Sequence, residues 1–256
     1  VIQSHIILPD CGSTLTPSVR SAIMSSTPKS ALGSSISSSS SACEKVTCSK
    51  CKISSLASQL GIAASRSRSS GGVVEYLYQN AVPGDSPVQV LTRSLERDRY
   101  PITYRNAIVA EHCGEIAGMV LSFPSRFHGM ITGMNAVLPH ERIEHMRSFY
   151  EARVEGSWYI DSLGVYERFR RKRIATGLIE RAAGRAGEEG YRIMSLIVFA
   201  DNIPALNLYR SLGFQVQRRV ELGENELIPH TGGCLLLRLD LLSGTLGRLG
   251  GCTGSC

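Results

Sequence analysis

Apolar positions are distributed along this chain in two different ways. Up to about Gly72 they occur as short fragments between Ser, Thr, Pro and Gly, and Ser34 to Ser41 is nearly all Ser. Such a stretch buries too little apolar area to offset its ordering entropy. Residues 1–72 are therefore expected to form a Ser-rich extension, disordered or peripheral. One fragment, Ile53 to Ser67, carries Ala57 and Gly61 at the spacing of a helix-turn-helix unit. The recognition helix that should follow would need an apolar periodic face, and Arg66-Ser67-Arg68-Ser69-Ser70-Gly71-Gly72 does not supply one. A single short helix is the expectation there, not a DNA reader.

From Val73 onward the periodicities are regular. Helices are expected over Val73 to Gln79 and over Ser86 to Asp98, where Ser86 can cap and Pro87 fits the first turn. Asn106 to Glu111 and Glu115 to Phe123 read as strands joined by a turn at Cys113-Gly114. A loop runs from Pro124 to Met134. Ile143, Met146, Phe149 and Tyr150 then give Pro139 to Glu151 an amphipathic helical spacing. Ser157 to Val165 reads as a strand, and Ile174 to Glu189 as a helix that Gly190 stops. Tyr191 to Phe199 is almost continuously apolar, as in a strand buried on both faces. Pro204 to Leu212 reads as a short helix, and Phe214 to Leu222 and Cys234 to Leu241 as strands. The pattern predicts an α/β domain over residues 73–242: a mixed β-sheet flanked by helices. A Gly-rich tail, 243–256, is expected to be disordered.

Composition sharpens this only locally. The net charge of +6 favours an anionic partner without choosing among nucleic acid, acidic lipid and phosphorylated small molecules. Arg168, Arg170, Arg171, Lys172 and Arg173 lie almost together, which suggests a local anion site. No apolar run reaches transmembrane length. The opening Val-Ile-Gln-Ser-His lacks the basic region and apolar core of a signal peptide, although a start on Val leaves a lost leader open. Cys48-x-x-Cys51 has metal or redox spacing, but its second pair would have to be Cys252 and Cys256. Metal binding is not expected. The cysteines are read as free thiols of a cytoplasmic protein, with Cys113 and Cys234 as small apolar residues.

The informative join is strand, basic loop, helix. A helix start near Ile174 offers unpaired backbone N–H groups and the positive end of a dipole, a geometry that receives phosphates. No Walker Gly-x-x-x-x-Gly-Lys and no Rossmann Gly-x-Gly-x-x-Gly is present. The stretch Tyr159-Ile160-Asp161-Ser162-Leu163-Gly164-Val165, followed by Arg170-Arg171-Lys172-Arg173-Ile174-Ala175-Thr176-Gly177-Leu178-Ile179, resembles the central strand, pyrophosphate loop and helix of the GNAT acetyltransferase superfamily. Asp201-Asn202-Ile203-Pro204-Ala205 and Leu208-Tyr209 through Gly213-Phe214 resemble its second block. The resemblance covers about residues 106–241. It stops short of the first seventy, where the family's opening strand and helix should begin.

The resemblance implies a GNAT fold, acetyl-CoA as cosubstrate, and acetyl transfer to a primary amine of a small molecule or protein by direct attack in a ternary complex. It implies that the backbone of Leu163, Gly164 and Val165 holds the pantetheine arm. Donors from Arg170, Arg171, Lys172, Arg173, Ile174, Ala175 and Thr176 would hold the pyrophosphate. Asn202 would contact the cofactor, and Tyr209 would protonate the departing thiolate. Arg173 departs from the pattern, which has Gly there; it either crowds the loop or adds a phosphate contact, and Arg173→Gly is expected to tighten acetyl-CoA binding.

The general base is less clear. Ile197 stands where some relatives place a Glu. Asp161, given the same facing as Leu163 by strand alternation, is the candidate, with Glu111, Glu141 and His145 as alternatives. The insert 124–156 is positioned to cover an acceptor site; His128, His140 and His145 within it are read as surface-helix residues. Competing readings are a catalytically weak or silent module that binds coenzyme A, and, ranked last, a nucleic-acid contact through the basic loop. No membrane partner is expected, the amine acceptor is unidentified, and a homodimer is left open.

Overall fold

The computed structural model describes residues 45–48, 56–96, 101–112, 115–129 and 138–242. The tail 243–256, most of the Ser-rich extension, and Cys43, Cys51, Cys113, Cys252 and Cys256 lie outside the described residues. Seven strands form one sheet in the order β1-β2-β3-β4-β5-β7-β6. They are β1 Lys45–Cys48, β2 Ala107–His112, β3 Glu115–Pro124, β4 Trp158–Val165, β5 Ile193–Phe199, β6 Gln215–Val220 and β7 Cys234–Asp240. Every neighbouring pair is antiparallel except β4 and β5, which are parallel. Parallel neighbours need a crossover, and the helix α6 (Ile174–Glu188) supplies it.

The sheet separates two cores. On one face α1 (Leu56–Ser69), α2 (Val73–Tyr78), α3 (Pro87–Glu96), α4 (His140–His145) and α5 (Arg147–Glu151) bring Ile62, Leu77, Leu91, Ile143 and Phe149 onto Met119, Leu121, Tyr159 and Phe199. On the other, α6 and α7 (Ile203–Ser211) pack Leu178, Ile179, Leu206 and Tyr209 onto Ile160, Leu163, Leu196 and Leu237. Met194 to Phe199 are all buried, as the continuous apolar run requires. Cys234 is a buried free thiol pushed up to about 12 by burial, hence unreactive.

The boundary expected at residue 72 is wrong in one respect: it leaves α1 outside the domain. Ile62 and Ala63 of this helix are fully buried, and so are Ser65, Arg66 and Ser69. The small side chains that made the stretch look unable to fold are what let the helix approach the sheet. A Cβ on Gly164 of β4 would meet Ser69 Cβ at 3.2 Å and Ser65 Oγ at 3.4 Å, and one on Gly61 would meet Ile116 Cδ1 at 2.9 Å. Two of the serine hydroxyls are satisfied locally, Ser69 Oγ donating to Arg66 O at 3.1 Å and Ser70 Oγ to Ser67 O at 2.6 Å. The turn into α2 needs Gly72, whose φ is +88° and whose Cβ would fall 1.9 Å from Leu227 O.

Candidate active site

The site begins with a break in the sheet. β4 pairs with β5 only at Trp158↔Met194, Tyr159↔Ser195 and Ile160↔Leu196. Beyond Ile160 the two strands part, while Leu163, Gly164 and Val165 stay paired to β3. That leaves the β5 side of this backbone outside any strand ladder, available to an extended ligand. The register against β3 also shifts between Leu121 and Ser122, so Asp161 is an extra residue on β4. A bulge breaks strand alternation. Leu163 therefore belongs to the core under α6, whereas Asp161 faces α1 and binds Arg66. The shared facing expected for Asp161 and Leu163 is overturned by this bulge.

The basic loop ends in a cavity of about 420 Å³ between the start of α6 and α7. Its wall gathers Val165, Arg170, Arg171, Arg173, Ile174, Ala175 and Thr176 of the expected cofactor residues. Leu163, Gly164, Lys172, Asn202 and Tyr209 are not on that wall. Phe169, Pro204 and Leu208, which the sequence reading did not single out, supply apolar lining. Arg168 is drawn away to Glu115 at 2.9 Å, and Lys172 Nζ lies 3.5 Å from His112 Nε2. The loop is tightly wound: Arg171 has φ +58° and Arg173, the residue capping α6, has φ +60°. A left-handed conformation costs a non-glycine residue roughly 1–2 kcal/mol, so this is backbone that glycine would adopt more easily. By helix geometry the first N–H groups of α6 have no intrahelical partner and point out of its start.

The second-block residues have structural duties. Asn202 accepts from Ala205 N at 3.2 Å and so caps α7, with Pro204 in the first turn. Tyr209 is fully buried and packs edge-on against Phe214, ring centroids 5.5 Å apart. Burial pushes its phenol up, so it carries its proton at neutral pH.

On the α1 face, a small chamber of about 30 Å³ lies over the bulge, walled by Tyr78, Phe127, His128 and Tyr150, with Arg66 and Asp161 in its lining. Arg66 Nε lies 3.1 Å from Asp161 Oδ2, and both side chains are 2% exposed. Burial by itself would raise the Asp161 carboxyl; the Arg66 guanidinium overrides that, helped by the Ser162 hydroxyl at 2.7 Å, and holds it at about 2. A carboxylate held there is a feeble proton acceptor, so the base expected at Asp161 loses its support. His128 is also lowered by burial, to about 3, with Nε2 3.2 Å from Phe149 O. It is a core histidine and not the surface residue expected. Glu111 and Glu141 are exposed, and His145 packs at a tilt against Tyr76, ring centroids 5.0 Å apart, outside the chamber lining. The insert does cover the chamber, through Phe127, His128, Gly129 and Tyr150. Arg66 carried no sequence signal beyond being one of two neighbouring arginines, with Arg68, in a Ser-rich run.

Among the described residues no group of three or more His, Cys, Asp or Glu side chains could hold a metal, and no helix is long and apolar enough to cross a membrane.

Comparison with known proteins agrees with this architecture. A solved acetyltransferase structure is 20% identical, aligns over 74% of this chain and 97% of its own, and gives a TM-score of 0.52. An N-acetyltransferase from Staphylococcus aureus Mu50 is 18% identical over 72% of this chain and 97% of its own, with a TM-score of 0.49. A ribosomal-protein-alanine N-acetyltransferase from Brucella melitensis is 19% identical over 74% and 98%, with a TM-score of 0.46. At these identities the first likeness shows the fold, and the other two carry no further argument. No curated protein matches the sequence. The sequence model of the acetyltransferase (GNAT) family, however, matches residues 78–214, more than half of the chain. With the parted β4 and β5 strands and the basic loop at the start of α6, that match makes the chain a member of the GNAT acetyltransferase family.

Proposed function

We propose that the protein transfers an acetyl group from acetyl-CoA to a primary amine, with both substrates bound together and the amine attacking the thioester directly. The observation that carries the reading is the cavity at the start of α6, where Arg170, Arg171 and Arg173 meet the helix N-terminus beside the parted strands. A diphosphate suits that end: guanidinium groups and orphan N–H groups both donate to phosphate oxygens. The pantetheine arm then runs along the β5 side of Leu163, Gly164 and Val165. Backbone N–H groups there stabilise the oxyanion that develops as the amine attacks. The side-chain nitrogen of Asn202, whose oxygen caps α7, is free to face the cofactor. Tyr209, protonated by virtue of burial, donates its proton to the departing thiolate.

The acceptor enters over the bulge, on the α1 face. Of the titratable groups that line the chamber, Asp161 and His128 are both held far below neutrality, while burial pushes Tyr78 and Tyr150 up so that they keep their protons. An ammonium has no lone pair, so the acceptor sheds a proton to solvent before it attacks as the neutral amine, and neither side chain takes that proton; Asp161 acts as a fixed charge paired with Arg66. The same pair supports a second reading, a module that binds coenzyme A without turnover.

The experiment is an assay of thiol release from acetyl-CoA against a panel of primary amines, with Tyr209→Phe alongside. Turnover with at least one amine, lost in Tyr209→Phe while acetyl-CoA still binds, is the expected result. Acetyl-CoA binding without turnover for any amine favours the second reading.

A further inference from the structure

A second cleft, of about 440 Å³, lies at the opposite end of the central strands. Trp158, the first residue of β4, forms its floor, seven residues before Val165 of the cofactor cavity. At about 3.3 Å per residue the two sites are roughly 20 Å apart. Arg185, near the end of α6, holds its guanidinium 5.7 Å over the Trp158 ring and donates to Arg105 O at 3.1 Å and Asn106 Oδ1 at 3.4 Å. Across the cleft Arg126 donates to the Tyr191 hydroxyl at 2.7 Å and sits 4.6 Å over the Phe127 ring. Both guanidinium groups are thus oriented by neutral partners. Among the described residues neither meets a carboxylate at ion-pair distance.

Trp158 is 3% exposed and contributes its ring to the lining. Two oriented guanidinium groups facing one space of ligand size describe a receptor for an oxyanion. One acid, Glu189, is also on the wall. Its charge opposes a dianion more strongly than a monoanion, which disfavours phosphate. The fork of an arginine matches the planar carboxylate, and Pro124 and the 38%-exposed Phe127 offer apolar contact for what the carboxylate is attached to.

We propose that this cleft binds a small organic monocarboxylate, its oxygens accepting from Arg126 and Arg185 beside the Trp158 ring. The assignment rests on the cleft alone and does not require the chain to transfer acetyl groups.

Trp158 is the single tryptophan of the chain, so its selectively excited emission reports on this site directly. The full chain is titrated with phenylacetate, with its neutral counterpart 2-phenylethanol, and with inorganic phosphate. Phenylacetate should shift the emission saturably and 2-phenylethanol should not. Arg126→Gln and Arg185→Gln should each weaken phenylacetate by about tenfold or more, as loss of a charge-assisted bond does. Glu189→Gln should tighten it. Calorimetry with acetyl-CoA should give the parent affinity in all three variants, showing that the fold and the other cavity are intact. A response to 2-phenylethanol equal to that of phenylacetate, phosphate binding as tightly as phenylacetate, or no response to any probe in the parent chain would each overturn the proposal.

Discussion

The cavity at the start of α6 and the chamber under α1 both place arginine beside the central strand, yet they use it in opposite ways. At the start of α6 three arginines line an open cavity, and two of them, Arg171 and Arg173, stand on strained backbone. Under α1, Arg66 is 2% exposed and already committed to Asp161. An exposed charge keeps its hydration and is free to meet a ligand. A buried charge must be matched within the fold, because removing one partner leaves the other desolvated and unpaired. Position, more than residue type, decides which arginine is for binding and which is for architecture.

The largest effect that should separate the two regions is on stability. Arg66→Ala and Asp161→Ala are each expected to cost about 3–5 kcal/mol, measured by denaturant unfolding. Arg171→Ala, on the open cavity, should change stability by no more than about 0.5 kcal/mol. Comparable losses at both places would remove the contrast. Next in size is catalysis: Tyr209→Phe should lower kcat by about 100-fold or more while leaving acetyl-CoA affinity unchanged.

Acid sensitivity sharpens the contrast further. The folded Asp161 carboxyl, at about 2, lies below its ordinary value of 3.8, so its contribution is fully present above about pH 4 and is lost as pH falls toward 2. His128 is held neutral at about 3 against an ordinary 6.5, so the unfolded chain takes up a proton first and stability declines already below 6.5. Unfolding free energy measured against pH should fall in both windows. Asp161→Asn should flatten the lower one and His128→Gln the upper. The smallest expected effect is at the loop: Arg173→Gly should gain about 1 kcal/mol by relieving a left-handed arginine. A drop in Tm would mean that the Arg173 side chain makes contacts worth more than that relief.

Much of this was legible in the chain. From Val73 the strands and helices follow from periods of two and 3.6, and the basic loop was found because five cations crowd one strand-to-helix join. The bulge at Asp161 was invisible, since it depends on register against β3 and not on residue type. It turned a candidate base into half of an ion pair. Helix α1 was misjudged for a related reason: Ser65 and Ser69 read as linker composition but serve to bring the helix against Gly164. The family resemblance stops short of the first seventy residues, and β1 and α1 lie there.

The most direct test of the central claim, that the cavity at the start of α6 receives the diphosphate of acetyl-CoA, is isothermal titration calorimetry of the full chain with acetyl-CoA, free coenzyme A and ATP. Saturable binding of both coenzyme A compounds but not ATP, weakened in Arg171→Ala and unaffected by Glu189→Gln, is the predicted result. No heat from either coenzyme A compound at the highest soluble concentration, or equal affinity for ATP, would contradict it.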